Sequence, residues 1–391
     1  MNILYIGAFC LNSIVRKYPS YGLDIYKTSE FIIKGLRQKQ GVNLDVITAP
    51  DVPSYPRLPQ IWFKKEYDIQ ESFLSVGLIN IVGVKQISII YRLYKEACRI
   101  IKQKEGKVYV IIPYMVFHHV CVTSLLKAKF KEKVIICQTI PDIFFPPKKL
   151  SAGYWMNFYA EKLAKKSDAF IVFTKEMINY LGIPNENSMV MECIIEERSN
   201  VNEAKKDIIR PKLSVLYTGA LSDKHGIKKL VEIMNMTQRD DFYLEITGIG
   251  PLSNYLAECS QKDRRIKFYG SIPKSEVFNK QNEADILINP RSDNDSPKLT
   301  KYMFPSKLVE YMLTGNPVVI CKMAGIPEDY YEYVFTAKDD TTESLFEKLN
   351  EVLNMSKEDR KNKGKQARNF ILENKTILVQ SSRIVDFLQK F

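Results

Sequence analysis

Paired cysteines, an export signal and a membrane-length apolar run are all missing from this 391-residue chain. Its seven cysteines are odd in number and show no Cys-x-x-Cys spacing, which excludes a disulfide framework and a thiolate zinc site. The opening segment MNILYIGAFC lacks a basic leader and reads as a strand, so a reducing, cytoplasmic setting is expected. The longest apolar stretch, residues 73–94, is interrupted by Asn80, Lys85, Gln86 and Arg92, and no spanning helix is expected there. Glycine (17) and proline (18) are spread along the chain rather than clustered, which argues against a long low-complexity linker.

What is present is ordinary for globular protein. Residues are 45% hydrophobic and 26% charged, which excludes global disorder and fibre. At roughly 150 residues per domain the length accommodates two or three domains. The net charge of +12 is unevenly placed. Residues 1–150 hold 22 Lys and Arg against 11 Asp and Glu, while residues 151–391 hold 35 against 34. A basic first third suits an anionic partner such as a lipid headgroup or a phosphorylated acceptor; a solvated charged surface accounts for the same excess. No RRM, KH or zinc pattern accompanies it, so nucleic acid is not the expected partner.

Two regions repeat one rhythm of short apolar runs and amphipathic segments. In the first, strands are expected over 3–6, 42–48, 108–112, 134–137 and 169–173, and helices over 26–39, 86–103, 118–130 and 152–166. The second expects strands over 214–217, 243–247, 266–269, 286–289 and 317–320. Such βαβ alternation implies an α/β fold of doubly wound parallel sheets. The polar stretch 196–212 is the expected linker. The domains are read as 1–200 and 201–370, with a helix in 371–391 carrying Ile384, Leu388 and Phe391 on one side and packing back on the first domain. In open α/β sheets ligands bind at the carboxyl ends of the strands, so the cleft between two such lobes is the default site.

Four segments of the second region could carry chemistry. In YTGALSDKHGIKKL (217–230), a strand ends at Gly219 and a helix opens near Gly226. Glycine permits close backbone approach, amides at a helix start face an anion, and Lys224 adds a charge for a diphosphate. A plain strand-to-helix turn reads the same way. ITGIGPL places Gly248 and Gly250 after a strand, as a tight turn or as room for a phosphate or sugar. In the segment 302–312, Ser306 is a candidate N-cap, and Gly315 beyond it a candidate terminator. Ser306 and Glu310, one turn apart, share a face on which a carboxylate can accept from a ribose diol, and Lys307 at the helix start opposes phosphate charge. ADILINPR ends a buried strand at Pro290 and Arg291, and Arg291 is a candidate phosphate partner.

Together, YTGALSDKHGI, ITGIGPL, IKFYGSIPKSEVF, ADILINP and FPSKLVEYMLTGNPVV resemble, in order and spacing, the nucleotide-binding half of family 4 glycosyltransferases. The resemblance is strong over about 213–325. It is looser in the first region, where ICQTIPDIFFPP and DAFIVFTKEMINYLGIP look like the acceptor half of bacterial polysaccharide glycosyltransferases. The resemblance implies the GT-B architecture, two Rossmann-like domains facing a central cleft, and a retaining hexosyl transfer from a nucleotide-sugar, UDP-linked by preference. By position, Gly219 matches the glycine facing the donor diphosphate, Lys224 the basic residue of that loop, and Glu310 the second glutamate of the E-x7-E motif, which holds the ribose. Ser306 and Lys307 match the turn beside the phosphates. The first glutamate of that motif is Tyr302 here, which can hydrogen-bond a hydroxyl but supplies no carboxylate. The arginine common after the loop glycine is Ala220, and the first-lobe histidine before an aspartate gives way to Pro141-Asp142.

In the first region His119, beside His118, is a candidate for contacting donor sugar or leaving phosphate, or else a polar residue at a helix start. Asp142 is a candidate for orienting the acceptor hydroxyl, with a turn aspartate before Pro146-Pro147 as the alternative. Glu192 is read as facing the interdomain region or as structural. Asp293-Asn294-Asp295 approaches a DxD spacing but lies in a loop, and neither an obligatory metal nor another cofactor is expected. Residues 55–68, YPRLPQIWFKKEYD, mix aromatic and basic side chains as a membrane–water interface does; an acceptor loop with its own small core is the alternative. The reading is a transferase building a capsule- or O-antigen-type polysaccharide on a lipid-linked acceptor, peripheral on the inner membrane face. A nucleotide-sugar epimerase of the same architecture, or a non-catalytic nucleotide-sugar-binding protein, are the rivals.

Overall fold

The computed structural model describes residues 1–7, 27–69, 72–143, 151–196, 211–295 and 300–391. The chain divides into two compact units, one of Met1–Glu196 with Ile377–Phe391, the other of Glu197–Thr376. The expected linker lies mostly outside the described residues, as do Pro146 and Pro147.

The first unit carries ten described strands: β1 (Asn2–Gly7), β2 (Asn43–Thr48), β3 (Trp62–Phe63), β4 (Glu66–Asp68), β5 (Phe73–Ser75), β6 (Leu78–Ile79), β7 (Val108–Pro113), β8 (Val134–Ile140), β9 (Ala169–Val172) and β10 (Ser188–Val190). Eight form one sheet in the order β10-β9-β8-β7-β1-β2-β5-β4, and β3 pairs with β6 in a separate ribbon. Every pair in the large sheet is parallel except β4 with β5. Every residue of β7 and β8 is buried, because a parallel sheet is covered on both faces and its strands need unbroken apolar runs.

The crossovers explain how the helices are shared out. The chain steps one way from β1 to β2 and the other way from β5 to β7 and on through β10, so right-handed connections place their helices on opposite faces. Val84–Gln103, Phe117–Phe130 and Ala152–Ala164 pack side by side on one face. Lys27–Gln38 packs against Ile377–Leu388 on the other. A Cβ on Gly35 would lie 1.9 Å from Ser381 Oγ, so glycine lets these two helices touch. The terminal helix is tied to the unit's last extended segment: Ile377 N donates to Ile195 O (2.8 Å), Gln380 Nε2 to Cys193 O (2.7 Å) and Arg383 to Val190 O (3.0 Å).

The second unit holds β11 (Leu213–Ala220), β12 (Phe242–Ile249), β13 (Ile266–Phe268), β14 (Ile286–Asn289), β15 (Val318–Ile320) and β16 (Phe335–Thr336). All run parallel in the order β13-β12-β11-β14-β15-β16. This is the Rossmann order, with the direction of winding reversing between β11 and β14. The helix Lys357–Asn374 crosses the expected boundary at residue 370 and stays in this unit. Its Gly364 carries no Cβ because Gly315 O would stand 2.2 Å from it.

Candidate functional site

The reversal point of a doubly wound sheet is where two neighbouring strand ends diverge and leave a crevice. In the second unit those ends are Gly219-Ala220 of β11 and the Pro290-Arg291 segment after β14. Between β11 and the helix Ile227–Met236 runs the loop from Leu221 to Gly226, turned by the short helical segment Asp223–His225.

Four glycines set this loop. Gly219 has φ 149°, and a Cβ there would lie 2.3 Å from Lys307 Cε, so the lysine stem passes directly over the strand end. A Cβ on Gly248 would lie 1.7 Å from Gly219 O, and one on Gly250 2.2 Å from Leu221 O. The space over Gly248 and Gly250 is therefore filled by protein backbone, and their part in the site is to let the end of β12 nest against the loop. Gly226 (φ 69°) turns the chain into the helix with Pro290 O only 2.5 Å from where its Cβ would be, which joins the β11 loop to the end of β14.

The helix Ser306–Leu313 is anchored from below. Leu308, Val309, Tyr311 and Met312 are buried, and the Tyr311 hydroxyl accepts from Thr218 N (2.8 Å) and lies 3.2 Å from Thr218 O. Burial pushes that hydroxyl's pKa up to about 12. Gln281 Nε2 donates to Thr218 Oγ1 at 2.9 Å. The helix is thereby locked to the carboxyl end of β11, leaving Ser306 and Glu310 exposed. Pro305, rather than Ser306, holds the N-cap position, and Ser306 is the first helical residue. Gly315, at φ 68°, follows the Thr314 C-cap in the left-handed conformation typical of a helix end. Tyr302 sits in the preceding turn Thr300–Tyr302 with Lys301 over its ring at 5.1 Å. Gly325, which the sequence reading passed over, supports this turn: a Cβ there would lie 2.3 Å from Met303 O.

Positive charge gathers on this frame. Burial holds the His225 imidazole below its ordinary pKa, and Arg291, Lys307 and Lys224 push it down further, against an opposing pull from Asp295. The four cationic or protonatable side chains therefore share one electrostatic neighbourhood. Arg291 Nε is buried without a hydrogen-bond partner among the described residues, and desolvation lowers the guanidinium pKa. His225 Nδ1 lies 2.8 Å from Ser222 Oγ. Glu310 makes no hydrogen bond or ion pair among the described residues, and neither does the Lys224 or Lys307 ammonium.

The acidic residues nearby are engaged. Asp295 Oδ2 accepts from Ser292 N (2.7 Å), Ser292 Oγ (2.9 Å) and Lys229 Nζ (3.2 Å), and Asp293 Oδ2 accepts from Ala324 N (3.0 Å). The Asp-Asn-Asp stretch thus braces the loop after β14. Lys229 and His225 were missing from the sequence reading. His225 carried a signal, since it lies between Lys224 and Gly226; Lys229 carried none beyond its place in the quoted segment.

The first unit places its candidates at the ends of β7 and β8. His119, near the start of Phe117–Phe130, is wholly buried. The carbonyls of Gly7 and Pro113 lie beside its ring, yet neither ring nitrogen completes a hydrogen bond among the described residues. Burial holds its pKa well below the ordinary value, so it is neutral. His118, whose ring packs edge-on against it at 4.5 Å, has Nδ1 2.9 Å from Gln86 Oε1 and a pKa lowered to about 4 by burial and then by Lys85. Asp142, just past β8, has an exposed side chain whose carboxyl is nonetheless raised by desolvation. Glu192 is buried within the unit.

Residues 212–355 match the family model described as glycosyl transferases group 1. The match falls wholly within the second unit. Solved structures extend the likeness of fold to the whole chain. The lipopolysaccharide outer core galactosyltransferase WaaB, in its apo form, is 14% identical with a TM-score of 0.65, covering 100% of this chain and 99% of that one. A glycosyltransferase from Rickettsia africae is 14% identical with a TM-score of 0.63, covering 100% and 98%. The N-terminal domain of Candida albicans trehalose-6-phosphate phosphatase is 12% identical with a TM-score of 0.67, covering 99% and 96%. At these identities the likeness is one of fold, and the fold is GT-B, built of two Rossmann-like units. A comparison with curated proteins gives no match.

Proposed function

We propose that the protein is a glycosyltransferase that moves a hexose from a nucleotide-sugar, UDP-linked by preference, to a lipid-linked cell-surface glycan with retention of anomeric configuration. The observation that carries the proposal is the gathering of Lys224, Arg291, Lys307 and His225 at the β11–β14 reversal, beside a helix that presents Glu310, unpaired among the described residues. Breaking the anomeric C–O bond leaves a nucleoside diphosphate on which negative charge grows. Preorganised cations and loop amides at that point stabilise the charge as it develops, more than they stabilise the intact donor. Glu310 accepts hydrogen bonds from the ribose diol, and Tyr302 offers a hydroxyl to the donor. Retention follows from attack of the acceptor hydroxyl on the face the diphosphate leaves, with no protein nucleophile and no obligatory metal.

The acceptor belongs to the first unit in this reading. Asp142 orients the acceptor hydroxyl, and His119, being buried and neutral, packs beside the ends of β1 and β7. The enzyme works at the inner membrane face, where the lipid-linked glycan is made.

Glu310→Ala tests the donor site. UDP should raise the melting temperature of the native protein and leave that of the variant nearly unchanged; an equal rise in both would remove Glu310 from the nucleotide site. Incubation of UDP-, GDP- and ADP-sugars with and without lipid-linked acceptor separates transfer from epimerisation, since an epimerase changes the donor with no acceptor present.

A further inference from the structure

We propose that the outer face of the three-helix layer of the first unit, formed by Val84–Gln103, Phe117–Phe130 and Ala152–Ala164, is a docking surface for a bilayer bearing anionic headgroups. It deepens the lipid-linked acceptor reading by naming the surface that brings the enzyme to its membrane.

Soluble proteins scatter exposed apolar side chains singly, whereas a concentration of large ones marks an interaction site. Here Ile87 is 69% exposed, Tyr91 62%, Trp155 50%, Tyr159 49% and Phe158 48%. Ile87 and Tyr91 are four residues apart and so lie on one side of their helix. Trp155, Phe158 and Tyr159 form a continuous ring cluster, with centroids 5.6–6.3 Å apart. Trp62, 53% exposed, joins this face from the β3–β6 ribbon, where Arg92 of the first helix stands 5.0 Å over its ring. Amphipathic aromatics beside long basic side chains match the headgroup region of a bilayer, where a ring is half in hydrocarbon and a cation meets phosphate.

Charge chooses the partner. The three helices carry eight Lys and Arg against two Asp and Glu. Of the two acids, Glu96 is bound by Lys65 (2.8 Å) and Arg99 (2.5 Å), and Glu161 by Lys165 (2.8 Å). The helices on the opposite face of the same sheet, Lys27–Gln38 and Ile377–Leu388, carry four basic and two acidic residues and, among large hydrophobics, expose only Leu378. One face of the sheet is thus aromatic and strongly cationic while the other exposes almost no large apolar side chain. An anionic lipid surface satisfies both properties of the first face at once.

The test uses the full chain with vesicles of phosphatidylcholine alone or mixed with phosphatidylglycerol. Both tryptophans of the chain, Trp62 and Trp155, are in this face, so intrinsic emission reports on it directly. Expected is a blue shift with co-sedimentation on the phosphatidylglycerol vesicles, weaker on phosphatidylcholine and weakened by salt. The double variant Ile87→Glu, Phe158→Glu should bind at least about tenfold more weakly, with its melting temperature and its response to UDP unchanged. Absence of binding to anionic vesicles, equal binding by the double variant, or sedimentation equilibrium showing that two copies close this face without lipid would each overturn the proposal. Vesicle binding by a protein that ignores UDP would support the surface and defeat the donor reading instead.

Discussion

The two units share a doubly wound parallel core and differ in what they show to solvent. Among described residues the first unit exposes sixteen large hydrophobic side chains, while the second exposes only Met236, Ile249 and Tyr269. The second instead gathers cationic and protonatable side chains at one point, the reversal of its sheet. On the proposed reading, one scaffold serves two kinds of recognition. A small anionic ligand needs a few cations held rigidly at strand ends, whereas an extended partner needs area and tolerates loose geometry.

The largest expected effect tests whether the second unit alone holds the donor charge. Arg291→Met, which keeps the stem and removes the charge, should lower kcat/KM for sugar transfer by about 100- to 1000-fold, with vesicle binding intact. A loss within a few-fold would place the diphosphate elsewhere.

Acid should separate the units next. The His118 pKa is lowered from 6.5 to about 4, so between these values the unfolded chain binds a proton that the folded first unit refuses. Stability therefore rises with pH across that window and is lost as pH falls through it, by up to about 3 kcal/mol. Denaturant melts at neutral pH and near the lower value measure it, and His118→Gln should flatten the slope.

The smallest effect sharpens the picture of the second unit. The free protein holds the His225 pKa down, and a bound diphosphate favours its charged form, so UDP should bind more tightly as pH falls below neutral. About a threefold difference between native protein and His225→Gln is expected, by titration calorimetry, with proton uptake on binding only in the former.

Much of the frame was legible because parallel strands buried on both faces must be apolar throughout. The expected 108–112 and 286–289 fall on β7 and β14 almost residue for residue. The short strands between residues 62 and 79 were not, since two- and three-residue pairings leave no periodicity to read. Gly219, Lys224, Lys307 and Arg291 could be found as motif positions. The backbone packing of Gly248 and Gly250 could not, because nothing local announces that Gly219 O and Leu221 O occupy their side-chain space. Nor could the complete burial of His119, which depends in part on β1, more than a hundred residues away in sequence.

By itself the sequence determined the alternation of strand and helix, the two-unit organisation, and the presence of a basic, glycine-bearing loop followed by a carboxylate-bearing helix, all of which follow from local spacing and the chemistry of single residues. Only the tertiary structure decided which cations share a field, that Asp295 is spent on Lys229 and Ser292, and that the aromatics of two separate helices and the β3–β6 ribbon form one face. Those are facts of proximity, and proximity between distant segments is set by how the sheet winds.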